Sequence, residues 1–500
     1  METVQLNQRN LEKIHAPALV PSYNRERLRP GLVHLGLGNF HRAHQALYLD
    51  DLLTEGITKT GLFEINLVKD TFPLAETAAA QDYLYSLLTK SGDDTEELRV
   101  VGAIRGYVNA TVKMEAALTA ISHADTCAVS MTITEKGYYW EAGDIDWKAP
   151  AIVHDLENPE NPQSAAGFLS LALKQRFAEN RFPLTVISCD NFPSNGKTLR
   201  TIILSFCQRA YPEIVHWIED SVAFPCSMVD RITPNTSMET IRYVKEKYGI
   251  ADSWAVCCED YLQWVLEDDF RLPPNAAFDP ACYANAGVRL VKDVEPYEIM
   301  KQTLLNGSHS AMAYLSYLLG YSSVADAMAD PDIRRFIRDC YMEEVSPALL
   351  PVEGIDIAMY KDTLISRFSN RSVGDTVLRL TEDGSKKFPN FIMKPLVKAI
   401  HAGKPHSAPV LAVAGWARFL SGTDEKGEPI PIKDPDGGAV IAASKKAFEE
   451  PEAFLRLAGI QGLSEAEMSK VTEMFIGYLQ QFRQQGTRKT LNLYPKRNML

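Results

Sequence analysis

Leu32-Val33-His34-Leu35-Gly36-Leu37-Gly38-Asn39-Phe40-His41-Arg42-Ala43-His44 is the stretch from which the fold is read. Leu32 to Leu35 is a short apolar run of strand length, two glycines follow, and a helical pattern continues through Tyr48 and Leu52. Strand, glycine turn, helix is the setting in which a G-x-G pair acquires a physical meaning. Glycines let the backbone approach a pyrophosphate closely, and the start of a helix offers N–H groups with no partner inside the helix. The third glycine of the full fingerprint is absent, so a tight βα turn without a ligand accounts for these residues equally well. Gly36, Gly38, Asn39 and Phe40 are the candidate cofactor-binding residues of the turn.

Outward from the turn, a second strand, Leu62 to Val68, ends at Lys69-Asp70, roughly 30 residues past the glycines. An acidic residue closing this strand is where a dinucleotide enzyme holds the ribose hydroxyls, and Asp70 would favour NAD by repelling a 2′-phosphate. Adjacent Lys69 softens that preference, so NADP stays possible. Apolar runs at Arg99 to Ile104, Thr126 to Thr134 and Thr185 to Cys189 alternate with helical patterns at Val112 to Ile121 and Gly167 to Phe177. This is the βα rhythm of a parallel sheet. Open sheets of this kind bind ligands at the carboxyl ends of their strands, which singles out Thr134-Glu135 and Asp190-Asn191. Phe224 to Pro234 reads as a further strand, holding Asp230 and Arg231 in apolar company.

From Asp293 onward the alternation stops and helical patterns dominate. The expected architecture is α/β: a Rossmann-type dinucleotide-binding domain over residues 1–290, then a mainly α-helical substrate-binding domain over 291–500. The leading helix of the second domain carries Lys301, Asn306 and His309 among packing residues such as Leu304, Leu305, Met312 and Leu315. At about 100° per residue, Asn306 lies roughly 140° round from Lys301 and His309 roughly 80°, so all three share one hemisphere. Burying an amine, an amide and an imidazole costs several kcal/mol unless they are paired. Ser464 with Glu467 three residues on is a capping-box start for a late helix.

Five hundred residues, 46% hydrophobic and 23% charged, describe a globular two-domain protein with no bias toward disorder. A net charge of −12 argues against a nucleic-acid partner, which needs a basic surface. Eight cysteines show no CxxC pair, so reduced thiols are expected and no structural zinc site is supported. Met1 to His15 lacks the apolar core of a signal peptide, and Gln302 to Ala325 is too polar for a membrane span. A cytoplasmic protein that does not enter a membrane is expected.

A dinucleotide half followed by a helical half, with Lys, Asn and His in a cleft between them, implies hydride transfer on an alcohol or ketone. Lys301 accepts the alcohol proton if its pKa is lowered toward working pH. Asn191 and Asn306 donate N–H groups to the oxygen that gains charge, and His309 bonds a hydroxyl. No HExxH motif and no clustered Cys and His are visible, so no metal is expected.

Read together, Gly36-x-Gly38-x-Phe40-His41-Arg42-Ala43-His44, Thr132-x-Thr134-Glu135-x-Gly137-Tyr138, Ser188-Cys189-Asp190-Asn191 and Met228 to Pro234 resemble the polyol-specific long-chain dehydrogenases (the mannitol dehydrogenase family), and within them the mannitol 2-dehydrogenases. Gln263-Trp264-Val265-x-Glu267-Asp268, Pro296-Tyr297-Glu298-x-Met300-Lys301, Leu305 to Ser310, Arg367-Phe368-x-Asn370 and Ala414-Gly415-Trp416 extend the resemblance over nearly the whole chain. It implies metal-independent, NAD(P)-dependent interconversion of a polyol such as D-mannitol with a ketose such as D-fructose, by a protein that is commonly a monomer. By resemblance Lys301 is the general acid–base and Asn191 with Asn306 form an oxyanion-hole-like pair. His309, Asp230 and Arg367 hold the polyol, and Glu298 gates proton passage to solvent, with Glu135 as a second candidate in the relay. Where relatives have Asn-Pro after Arg-Phe-x, this chain has Asn370-Arg371; Glu259-Asp260-Tyr261 stands in place of Glu-Pro-Phe. Arg371 is the candidate partner for a substrate carboxylate, since hexuronate oxidoreductases of the mannonate type share these motifs, as do D-arabinitol dehydrogenases. The reading from another class is a dinucleotide sensor without turnover.

Overall fold

Arg29–Leu35 (β1) is buried from its third residue to its last, as expected of a central parallel strand covered by helices on both faces. It leads a six-stranded, wholly parallel sheet with Thr60–Asn66 (β2), Ile104–Asn109 (β3), Ala128–Met131 (β4), Leu184–Ser188 (β5) and Val222–Ala223 (β6), in the order β6-β5-β4-β1-β2-β3. That 3-2-1-4-5-6 order is the doubly wound dinucleotide-binding arrangement, and its order reverses between β1 and β4. Leu35 is in register with Met131, so the residues just past them, Gly36 and Thr132, stand at that switch point. The computed structural model describes residues 3–70, 74–141, 143–179 and 183–493.

The chain divides into two compact units, Met1–Glu295 and Pro296–Leu500. In the first, the helix expected after the glycine turn is two helices, Asn39–Ala43 (α1) and Gln45–Thr54 (α2), separated at His44, whose φ of −129° and ψ of −90° are not helical. One apolar run also divides, and another is shorter than expected. Arg99 to Ile104 ends one strand at Val101 and begins β3 at Ile104, in a different sheet. Between them the Gly102 N–H is taken by Asp50 at 2.9 Å. Phe224 to Pro234 holds a shorter strand than expected: only Ser227–Asp230 (β7) is in a sheet, pairing antiparallel with Gln263–Glu267 (β8), apart from the large sheet that β6 joins just before this run. Apolar content marked both runs as buried extended chain, but hydrophobicity carries no information on which sheet a strand joins.

The second unit is built from helices. Glu295–Lys301 (α3) continues through a π turn, Gln302–Asn306, into Gly307–Leu318 (α4). Ser407–Leu420 (α5) packs against α4, buried along nearly its full length. Gly415 permits that approach, since a Cβ there would lie 2.7 Å from the Leu315 Cδ2. Glu465–Leu493 (α6) opens with the expected capping box: the Ser464 N–H donates to Glu467 Oε2 at 2.9 Å, and the Glu467 N–H to Ser464 Oγ at 3.4 Å. It kinks at Gly486, whose φ is 76°. Among the described residues no helix is long and apolar enough to cross a membrane.

Candidate active site

Gly36 has a φ of 109°, and a Cβ there would overlap the Thr132 carbonyl oxygen, so the turn has room for glycine alone. Gly38 is different: its φ is ordinary and nothing lies within 4 Å of where a Cβ would be, which leaves open space at the start of α1. The combination, one glycine packed on the sheet and one facing a void, is the shape a pyrophosphate needs. The candidate ribose-binding residue is tied to this turn. Asn66 accepts the Leu37 N–H at 3.0 Å and donates to Asp70 Oδ1 at 2.9 Å. Tyr107 (2.6 Å) and Asn109 (2.9 Å) donate to the same Asp70 oxygen, so three donors fix its position. Phe40 stacks on His44 with ring centroids 4.9 Å apart. The Asn39 side chain turns inward, accepting from Arg42 at 2.6 Å and donating to the Pro234 carbonyl at 3.3 Å.

Beyond β4 and β5, Asp190 clamps the neighbouring loop: it accepts the N–H groups of Ile133 (3.0 Å) and Thr134 (2.8 Å) and the Tyr138 hydroxyl (2.7 Å). Thr134 is held at a φ of 63°, a left-handed value uncommon for a residue with a side chain. Thr134, Glu135 and Asn191 are all exposed, at the carboxyl ends of their strands. Asp190 is a residue the motif contained without a role, and its sequence signal is its place beside Asn191 at the end of a buried strand. Asp230, the last residue of β7, is buried and lies opposite Gln263. Arg231 spends its donors on the carbonyls of Glu259 (2.9 Å) and Ala43 (2.6 Å) and on Thr89 Oγ1 (3.3 Å).

The expectation that Cys and His do not cluster is corrected in this unit. His34, His41 and Glu64, all buried, bring their ligand atoms within 4.8 Å of one another. Residues on a strand, a helix and the next strand carry no metal-ligand spacing, which is why the motif search passed over them. The two imidazoles are stacked, 3.4 Å between centroids at 16°, so their nitrogens point outward in parallel planes instead of converging on one ion. Each nitrogen has a protein partner: Ser130 (2.7 Å) and Thr132 (2.9 Å) for His34, Gln45 (3.1 Å) and Glu64 (2.8 Å) for His41. This is a hydrogen-bonded core cluster under the glycine turn, and its geometry does not suit a metal.

In the second unit Glu298 and Lys301 are buried on α3, one turn apart. The helical-wheel placement of Asn306 is corrected by the π turn. There the Gly307 N–H bonds to the Gln302 carbonyl, five residues back, in place of four. One extra residue per turn brings positions five apart onto one stripe, so Lys301 and Asn306 relate as i and i+4 do in an α-helix. His309 follows three residues later on regular helix. Burial pushes its pKa down to about 3, with Arg379, Arg367 and Lys387 lowering it further and Asp375 opposing them. The ring is therefore neutral at working pH, packed 4.2 Å from Phe368, and its buried Nε2 has no partner among the described residues.

Arg367 is buried on the helix Ile357–Phe368, within electrostatic reach of His309. Arg371 is not brought to this group: two-thirds exposed, its guanidinium pairs with Asp326 at 2.8 Å. Arg379 and Lys387 take places that sequence reasoning did not assign. Arg379 forms a two-pronged pair with Asp375 (2.8 and 2.7 Å), and Lys387 donates to the Leu380 carbonyl at 3.2 Å. Chains of short helices between 377 and 393 give no sequence cue that these two cations act electrostatically on His309.

Comparison with known proteins bears on both units. Residues 30–275 match the mannitol dehydrogenase Rossmann domain and residues 293–482 the mannitol dehydrogenase C-terminal domain. A mannitol 2-dehydrogenase of Phaeosphaeria nodorum is 36% identical over 98% of this chain and 86% of its own length. The D-mannonate oxidoreductase of Escherichia coli is 38% identical over 90% of this chain and 91% of its own. Among solved structures, the Pseudomonas fluorescens mannitol 2-dehydrogenase in ternary complex with NAD and D-mannitol superposes with a TM-score of 0.88 at 36% identity, covering 98% of this chain and 99% of that one.

Proposed function

The chain belongs to the mannitol dehydrogenase family, and from that premise we propose that it interconverts D-mannitol and D-fructose by metal-independent hydride transfer. It is an NAD-dependent polyol dehydrogenase. The observation that carries the specific reading is the group on one helix: a buried amine, an amide brought into line by a π turn, and a neutral imidazole with a vacant nitrogen.

NAD, when bound, supplies the hydride acceptor; Gly36, Gly38, Asn39, Phe40, Thr134 and Asp70 are the residues proposed to hold it, and Asp70 to disfavour NADP. As the carbinol C–H is lost as hydride, Lys301 takes the hydroxyl proton, leaving ketone, reduced cofactor and one proton. Asn306 and Asn191 donate to the oxygen as its charge grows, and Glu298, with Glu135 the second candidate, passes the proton onward. His309 offers Nε2 to a neighbouring hydroxyl. Asp230 and Arg367 complete the polyol contacts, joined by Arg379 and Lys387. Arg371 would reach substrate only by leaving Asp326.

A second reading, a hexuronate as substrate, has one observation in its favour: the D-mannonate oxidoreductase of Escherichia coli is 38% identical over 90% of this chain, and a carboxylate substrate would need a basic partner. One assay separates the two. NADH absorbance is followed with NAD and a panel of hexitols, pentitols and hexonates; mannitol is expected to give the highest kcat/KM, and turnover confined to hexonates would move the assignment. A dinucleotide sensor would give no turnover with any of them. The reading includes a monomeric, cytoplasmic enzyme, and light scattering tests the first part against a chain mass of 55.7 kDa.

A further inference from the structure

Among the described residues of the second unit, three π turns interrupt the helices: Gln302–Asn306, Phe336–Tyr341 and Pro389–Met393. They meet at one point. Tyr341, closing the second, donates its hydroxyl to the carbonyl of Phe391, inside the third, at 3.2 Å. Both groups lie against Gly307, the residue that ends the first. A Cβ at Gly307 would overlap the Tyr341 hydroxyl oxygen and approach the Phe391 oxygen to 2.8 Å. Gly307 has helical φ and ψ of −63° and −45°, so close packing demands the glycine here, and backbone conformation does not.

We propose that Tyr341 is a positioning residue for the reaction, locking the register of the π turn that aligns Lys301 with Asn306; this rests on the reading of those two as the proton acceptor and the oxyanion donor. A π turn carries one residue more than an α turn, and it can slide along a helix by exchanging carbonyl partners. Each step of such a slide rotates a residue by about 100° and shifts it about 1.5 Å. Here a slide would carry Asn306 or Ser308 into the space beside the Tyr341 hydroxyl, and only residue 307, which lacks a side chain, fits there. Burial pushes the Tyr341 phenol up, so it remains a proton donor to Phe391 throughout the working range. Without the lock, Asn306 would leave the stripe it shares with Lys301, and both groups would face the substrate oxygen less often.

The test compares Tyr341→Phe and Gly307→Ala with the parent and with Lys301→Ala, reading kcat, KM for polyol, the pH profile of kcat, NADH binding by fluorescence, and Tm. In Tyr341→Phe the expected result is a fall in kcat of about tenfold with a displaced pH profile, while NADH binding stays at the parent level. Gly307→Ala should move kcat and the profile in the same direction. A parental kcat and pH profile with only a lower Tm, or loss of fold in both variants, overturns the proposal by reducing the junction to a packing role. Retention of activity by Lys301→Ala would instead overturn the catalytic reading on which it rests.

Discussion

Asn306 and His309 make separable demands on the chemistry. Asn306→Ala should lower kcat by about 10²-fold with little change in NAD affinity, because an oxyanion donor acts on charge that exists only in the transition state. Pre-steady-state kinetics with deuterated mannitol would confirm that the chemical step is the one slowed. His309 is neutral well below neutrality, so it does not set the acid limb of a pH–rate profile. His309→Gln should raise the polyol KM and leave the position of that limb unchanged; a shifted limb would make the imidazole a titrating participant. At Gly36 the Thr132 carbonyl blocks any Cβ, and Gly36→Ala should weaken NADH binding measured by fluorescence. Lys301, Asn306, His309 and the glycines were legible because each is an anomaly in its setting: polar groups in a core-like helix, or glycines after a strand. Arg379 and Lys387 were not, since a cation in a polar, loop-rich stretch is ordinary in sequence and becomes notable only through its electrostatic effect on His309. Arg371, chosen for its place after Asn370, sits in an exposed pair with Asp326, and local sequence holds no sign of that partner.

Elements show the same division between local signals and long-range ones. The capping box at Ser464, the alternation of strands and helices, and the helical character of residues after 293 all follow from neighbours within one or two turns. The π turn at Gln302–Asn306 does not, because an i+5 bond leaves no composition signature, and a wheel drawn at a uniform angle misplaces every residue beyond it. The apolar runs at Arg99 to Ile104 and Phe224 to Pro234 were correctly read as buried chain, but the first feeds two sheets and the second forms a strand only over Ser227–Asp230. What splits the first is the Asp50 carboxylate on the Gly102 N–H, and what sets the strand of the second is pairing with β8, contacts made by residues distant in the chain. A consequence belongs to this scale: Asp50→Asn replaces an acceptor of three donors, the Tyr23 hydroxyl, the Gly102 N–H and Arg99 (2.7 Å). Breaking a buried pair of this kind should destabilise the first unit by roughly 3 kcal/mol, seen as a lower urea midpoint.

For the molecule as a whole, three buried histidines set its response to acid. His44 and His309 are pushed down to about 3 by burial, and His34 lies well below its ordinary value. A histidine depressed in this way is neutral when folded and protonates on unfolding, so its contribution is complete above about pH 6.5 and is lost as pH falls toward the folded value. Each costs about 1.4 kcal/mol per pH unit in that window. The carboxyls Asp50, Asp190 and Asp252, raised by burial, act in the opposite sense at the acid end, so a single substitution isolates the histidine contribution. The stability difference between the parent and His309→Gln in urea should shrink by about 1.4 kcal/mol per unit from pH 6 to pH 5; parallel curves would mean the imidazole is not buried neutral. The chain's function as a polyol dehydrogenase rests in turn on one amine and one cofactor acting on the same alcohol. The most direct test is NADH formation from NAD and D-mannitol by the parent and by Lys301→Ala, each first shown to bind NADH. Turnover in the parent, and a loss of 10² to 10⁴-fold in the variant with NADH binding intact, is the predicted result; a variant that turns over at the parental rate would contradict it.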